Sequence, residues 1–362
     1  MKLTKNKKVL AVTAVVIVVL VAVTGVIGYC AYDRMCRQSW IQRDCTLYVR
    51  HNATRTDILT QLADMAGAGV DTGSVWLDVA SQMLQHNPKA AKADISHRDI
   101  SGAYRFAQGT PLMTVLKRLY RHQQDPVRLT FIGTRTLPEL AGRLALRLEA
   151  DSTSLLSAMY DPTFLAACGC DSTRVACYLL PDTYEVYWNV SPTDLMQRLL
   201  AEYRRFWTDE RKARADSLGL TPEEVSIICS IAEEETANRR ERGTVARLYW
   251  NRLQKGMPLQ ADPTVKYAVG DFTLRRITHD HLKTESPYNT YLHPGLPPGP
   301  IRVVDKATID TFLSCPPHRW LYMCAKEDFC GLHNFAATLT EHNRNAARYH
   351  KALKAKGVTD KD

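Results

Sequence analysis

Residues 226–267 read SIICSIAEEETANRRERGTVARLYWNRLQKGMPLQADPTVKY, and the fold turns on how this stretch coils. Just ahead of it, Thr221-Pro222-Glu223-Glu224 is a helix start, with Thr at the N-cap, Pro at the first helical position and Glu at the third. Val225, Ile228, Cys229, Ala232 and Thr236 then share one helical face. At about 100° per residue, Glu233 and Glu235 fall on opposite margins of that stripe, and Glu234 points away from it into solvent. A carboxyl at such a margin is half desolvated, which raises its pKa and keeps a proton available near neutral pH. A general acid that breaks a glycosidic bond needs that property. The plainer reading is a solvated charge run, although three acids at a helix C-terminus oppose the helix dipole.

A second helix follows. Val245, Leu248, Tyr249, Arg252 and Leu253 form its apolar stripe, and Gly256 stands where a C-terminal cap belongs. Arg252 within that stripe calls for a partner, with Glu233, Glu235 and Glu241 as the nearby acids; a structural ion pair between the helices is the alternative. The loop Leu259-Gln260-Ala261-Asp262-Pro263-Thr264 is dense in polar groups that bind sugars or orient water.

These blocks resemble the YceG-like family of endolytic murein transglycosylases. The resemblance rests on S-I-A-E-E-E-T (230–236), E-R-x-x-V-A-R-L-Y-W-N-R-L (241–253) and K-G-M-P-L-Q-A-D-P-T-V-K-Y (255–267). It continues in S-P-Y-N-T-Y (286–291), G-L-P-P-G-P-I (295–301), G-L-H-N-F (331–335) and E-H-N (341–343), with L-L-P-D-T-Y-E-V-Y (179–187) upstream. The resemblance implies an α+β catalytic domain over 175–350. It implies cleavage within peptidoglycan strands, between N-acetylmuramic acid and N-acetylglucosamine, leaving 1,6-anhydro ends: a lyase, with no cofactor and no metal. It puts the catalytic acid on Glu233. Glu235, Arg252, Gln260, Asp262, Thr264, Tyr267, Asn289, Tyr291 and His333 match further motif positions and are read as supporting or substrate-contacting. The chain departs from the family pattern at Ala268, where a Gly is usual, and at Val303-Val304-Asp305, which replaces Asn-Pro-Gly. Two alternatives stand beside this reading: a non-catalytic wall-binding scaffold, and a muramidase that hydrolyses with water and a second carboxylate.

Upstream, Lys2, Lys5, Lys7 and Lys8 precede an uncharged apolar run over 9–32. About 20 apolar residues span a bilayer as a helix. The basic tip, 1–8, stays cytoplasmic and the remainder is exported, which predicts a single-pass inner-membrane protein with its catalytic domain on the periplasmic side. A cleaved signal peptide is the competing reading. Between 45 and 150 a short β-like run, a turn with Thr and an amphipathic helix recur at Tyr48–Leu62, Tyr104–Leu119 and Leu129–Leu144. Such units resemble the LysM-like, glycan-binding modules that the family carries ahead of its catalytic domain; simple packing units are the alternative. Leu199–Trp207 reads as a helix, and Asp209–Asp216 as a charged connection.

The net charge of +9 suits an anionic partner, cell-wall polymer or membrane. No zinc-finger spacing, Walker loop or basic helix supports nucleic acid. Peptidoglycan synthases are candidate partners. His279-Asp280-His281 and His293 show no complete metal-ligand set. The ten cysteines fit no zinc module; they read as disulfide candidates or as small buried hydrophobes, Cys229 among the latter.

Overall fold

The computed structural model describes residues 3–65, 100–274 and 276–357. The chain folds as two compact units, one of residues 1–127 with 185–189 and the other of 128–184 with 190–362.

The first unit opens with helix α1 (Leu3–Cys36). Within it, Lys8–Cys36 is long and apolar enough to cross a membrane, and its most apolar window is left uncovered by the protein. Its Val and Ile side chains stand exposed along the length, whereas a soluble helix hides at least one such face. Met35 at its end is buried with the core of the unit.

That core lies under a two-stranded antiparallel sheet, β1 (Cys45–Val49) and β2 (Gly102–Phe106), paired Leu47 to Tyr104 and Cys45 to Phe106. Alternation sends Leu47, Val49, Tyr104 and Phe106 to one face. There they meet Ile58 and Leu62 of α2 (Arg55–Met65) and Leu112, Val115 and Leu119 of α3 (Leu112–Tyr120). Asp125 secures the far end of this packing: it accepts from Arg118 Nη2 at 2.8 Å and from the Arg105 amide at 2.6 Å.

The second unit is mostly helical. Strands β3 (Val127–Thr130) and β4 (Thr183–Val186) occur where the chain passes between units, and the Thr130 and Thr183 hydroxyls bond at 2.8 Å. The helices run α4 (Leu137–Ala145), α5 (Ser152–Met159), α6 (Pro162–Cys168), α7 (Pro192–Phe206) and α8 (Asp209–Ser217). Then come α9 (Pro222–Glu235), α10 (Arg242–Gln254), α11 (Asp262–Val269) and α12 (Lys306–Leu313). An antiparallel hairpin, β5 (Tyr322–Ala325) and β6 (His333–Ala336), and the closing helix α13 (Leu339–Ala355) complete it.

Helix α9 is the centre of this unit. Its residues from Val225 to Glu233 are all buried, nine in succession, so it has no solvent face. α10 and α12 flank it. These two approach closely at Gly243, where a Cβ would stand 2.5 Å from the Thr311 carbonyl oxygen; glycine is required there by space, not by backbone angle.

The predicted local signals match what forms. Each of the three β–turn–α copies contains a strand followed by a helix, the third falling in the second unit. Thr221 closes a capping box with Glu224. Gly256 takes φ 65°, and the Met257 amide returns to the Arg252 carbonyl at 2.9 Å, ending α10 as expected. Two readings are corrected. The segment read as a charged connection is helix α8: Thr208 caps it, Asp209 and Glu210 occupy its first turn and Arg214 its last, a charge order that favours the helix dipole. The helix expected from Leu199 begins seven residues earlier, because Ser191 caps it ahead of Pro192. Cys177 and Cys229 are buried, and all ten cysteines are free thiols.

Candidate active site

The three acids end α9, and each meets a different environment. The helix stops because Thr236 turns extended, at φ −133° and ψ 128°. Carboxylates at this end oppose the helix dipole, so the surroundings must compensate.

Glu233 is compensated by two cations and two hydrogen-bond donors. Its side chain is 0% exposed. Oε1 accepts from the Asp305 amide at 3.0 Å and from Thr308 Oγ1 at 2.5 Å, with Arg242 Nη1 at 3.3 Å. Oε2 faces Arg302 Nε at 2.9 Å. Burial pushes its pKa up, while Thr308 and the two guanidiniums pull the other way. Asp305 also holds Arg242 through Oδ2 at 3.2 Å.

Glu234 does not point into solvent as the helical phase predicted. Its side chain is 8% exposed. Oε1 takes Arg302 Nη1 and Oε2 takes Arg135 Nε, both at 2.9 Å. Arg302 also donates to the Gly133 carbonyl at 3.1 Å. It therefore ties the end of α9 to the segment before α4.

Glu235 is different: it is half-buried and lines an open cleft of about 420 Å³. Tyr249, on α10, donates its hydroxyl to Oε1 at 2.6 Å. Burial above all, with the neighbouring charge of Asp262 adding to it, pushes the Glu235 carboxyl from 4.5 up to about 7; the Tyr249 bond and Arg252 act against the rise.

Opposite stands the Gln260–Asp262 loop. Leu259 is buried and anchors it. Gln260 carries φ 48°, a left-handed conformation that non-glycine residues rarely adopt and that concentrates at functional sites. Its amide bonds the Thr290 carbonyl at 3.2 Å, and its Oε1 accepts from Arg252 Nη2 at 3.2 Å. Asp262 begins α11 and accepts the Tyr291 hydroxyl at 2.6 Å.

Glu235, Arg252, Gln260, Asp262 and Tyr291 thus converge on one cleft. Thr264 and Asn289 stand behind it. Thr264 Oγ1 bonds the Ala261 carbonyl at 2.7 Å and Thr290 Oγ1 at 2.8 Å. Asn289 Nδ2 donates to the Leu282 and Thr284 carbonyls, both at 2.9 Å, and its Oδ1 accepts the Tyr291 amide at 3.0 Å. Both residues shape the loops and neither lines the cleft. Tyr267 packs on Tyr288, ring centroids 4.8 Å apart, outside the cleft lining. His333 is held by Glu241 at 3.0 Å through its amide and through Nδ1, also outside it. Arg252 forms no ion pair with a carboxylate among the described residues, contrary to the pairing predicted for it; Glu241 is taken by His333, and Tyr249 is the direct donor to Glu235.

Sequence reasoning missed Tyr249, Tyr322 and Met323 as cleft residues. Tyr249 was readable only as part of an apolar stripe; its hydroxyl was the available signal. Tyr322 and Met323 come from β5, too short for any alternation to reveal them. Among the described residues, no group of three or more His, Cys, Asp or Glu side chains is arranged to hold a metal.

A model of the YceG-like family matches residues 47–348. The endolytic murein transglycosylase of Bacillus subtilis is 32% identical over 173 residues, covering 48% of this chain and 47% of that protein. The endolytic murein transglycosylase of Streptococcus pneumoniae strain D39 is 25% identical over 281 residues, covering 69% and 50%. The chain therefore spans about half the length of the curated relatives it matches. In fold it is similar to the crystal structure of a yceG-like protein from Listeria monocytogenes, with a TM-score of 0.54 at 24% identity over 83% of this chain and 98% of that one.

Proposed function

Because the chain belongs to the YceG-like family, we propose that it is a membrane-anchored lytic transglycosylase that cuts within peptidoglycan strands and so limits their length. Glu235, not Glu233, is the acid and base of the reaction. Protonated Glu235 gives its proton to the glycosidic oxygen as the bond from muramyl C1 breaks and the N-acetylglucosamine hydroxyl leaves. The muramyl 6-hydroxyl then attacks C1, and its proton returns to Glu235, closing the 1,6-anhydro ring and regenerating the acid. The nucleophile is tethered to the substrate, so its effective concentration is high and no activated water is needed.

The observation that carries this reading is the contrast between the two carboxyls. Glu235 opens on the cleft, with a pKa raised to about 7. The Glu233 side chain is itself 0% exposed and faces Arg242, Arg302, Asp305 and Thr308, and it does not line that cleft. Tyr249 orients the Glu235 carboxyl, and the charge of Asp262 helps to hold the proton.

Turnover of purified peptidoglycan, with products identified by mass spectrometry, tests it. Glu235→Gln should remain folded and lose about 10²–10⁴-fold or more in rate. Glu233→Gln should act through stability, so its folded fraction should still turn over. A folded Glu233→Gln without activity beside an active Glu235→Gln would return the role to Glu233. Reducing ends in place of anhydro ends would make the enzyme a muramidase with Asp262 as second carboxylate. A wild-type chain that binds strands and releases nothing would make it a scaffold.

The basic flank of α1 supports a cytoplasmic N-terminus and a catalytic domain on the outer side of the inner membrane. For residues 45–150, the antiparallel β1–β2 pair with its helices supports the LysM-like, glycan-binding reading of the region. Synthases, which make the strand this enzyme cuts, are candidate partners.

A further inference from the structure

Resting on that reading of the cleft, we propose that its Arg252–His342 end is a carboxylate subsite, which grips an acidic group on the muramyl side chain while Glu235 acts on the sugar bond. Among the described residues Arg252 has one hydrogen bond, from Nη2 to Gln260 Oε1 at 3.2 Å, and its Nε is buried without a hydrogen-bond partner. Arg242 and Arg302 likewise each bury an Nε without a hydrogen bond, but both are paired with carboxylates, as Arg252 is not among the described residues. Arg252 feels the charge of Glu235 across the cleft but makes no direct ion pair among the described residues, and a half-buried guanidinium in that state gains from a ligand that supplies one.

The walls around it fit an anion. The guanidinium carbon stands over the Tyr322 ring, 5.8 Å from its centroid. His342 stacks on the same ring, 5.4 Å away and 26° from parallel, and its Nδ1 is buried without a partner. Burial, and after it the charge of Arg252, hold the His342 pKa below its usual value. Leu339 and His342 come from the first turn of α13, whose start is already capped by Thr338 and Glu341. The cleft is thus polarised, with Glu235 and Asp262 on one side and Arg252 on the other. A guanidinium fork matches a carboxylate with two parallel hydrogen bonds. The sugars themselves are neutral. The strand's acidic groups are the carboxylates of its stem peptides, or, once the stems are removed, the lactyl carboxylates.

The test uses the full-length chain in detergent and four substrates: stem-bearing strands and stem-free strands, each with carboxyls free or amidated. For the wild type, amidation should lower kcat/KM about 10- to 100-fold, the range of one charge-assisted hydrogen-bonded contact, mainly through KM. The pair in which the loss occurs identifies the carboxylate, stem or lactyl. Arg252→Gln should be slower than wild type and indifferent to amidation, and Arg252→Lys should retain part of the discrimination. Equal wild-type rates with free and amidated carboxyls in both pairs would overturn the subsite and leave the activity standing. So would Arg252→Gln that still discriminates. No anhydro product from any of the four would instead sink the activity reading, and the subsite with it. The wild-type comparison needs no variant, so a misfolded mutant cannot obscure the answer.

Discussion

A carboxyl raised from 4.5 to about 7 gives Glu235 two measurable signatures. In catalysis the cycle starts from the protonated acid, so turnover should fall as pH rises through about 7. In stability, the folded state binds the proton more tightly than the unfolded chain does. The contribution is therefore fully present below the unfolded value of about 4.5 and is lost as pH rises through about 7. Glu235→Gln has no such proton to lose. Thermal unfolding of both proteins from pH 4 to pH 9 should show wild type weakening relative to the mutant as pH rises; parallel curves would mean the pKa is not raised. The same residue marks where sequence reading stopped. The spacing identified a group of acids beside an apolar face, yet Glu233 and Glu235 look equivalent on a helical wheel. What separates them is the Arg302 and Arg242 cage around one and the Tyr249 hydroxyl and open cleft beside the other. Those partners lie far apart in sequence and have no local signature.

At the scale of elements, start and stop signals of helices were readable because they are chemical and local. Thr221 with Glu224 begins α9, and Gly256 ends α10. The orientation of α9 was not readable, since helical phase assumes one wet face and this helix is enclosed all round. Enclosure is what turns Glu234 inward onto Arg302 and Arg135. Arg302 is thus the cation shared by two of the three consecutive acids, Glu233 and Glu234, at the end of a buried helix. Arg302→Met should leave Glu233 and Glu234 short of a counter-ion in a dry site, where removing one partner of a buried pair costs about 3–5 kcal/mol. Urea unfolding of the soluble 33–362 fragment should show a loss of about 3 kcal/mol, with some relief because Arg302 retains 17% exposure. A change under about 0.5 kcal/mol, the usual range for surface substitutions, would show that the cluster is electrostatically neutral in effect.

For the molecule as a whole, α1 and the cleft pose separate questions, because every cleft residue lies in the second unit and α1 lies in the first. The apolar run was plain in sequence, since length and apolarity are properties of composition. The cleft was only partly so: the 260–262 loop lies within the motif region, whereas Tyr322 and Met323 arrive on a hairpin some ninety residues after Glu235. The apolar part of Lys8–Cys36 is exposed and long enough to span a bilayer, and such a surface is prone to aggregate in water. The full-length protein should therefore stay with membranes through high-salt and carbonate washing, treatments that strip proteins held by charge alone. The 33–362 fragment should be released into solution and keep its turnover per molecule on soluble strands, because it retains Glu235, Tyr249, Arg252 and the Gln260–Asp262 loop. A soluble form starting near Asp33 in normal cells would show that the helix is cleaved and does not anchor. A soluble fragment that has lost turnover, yet unfolds at the wild-type temperature, would show that the membrane helix also serves the reaction.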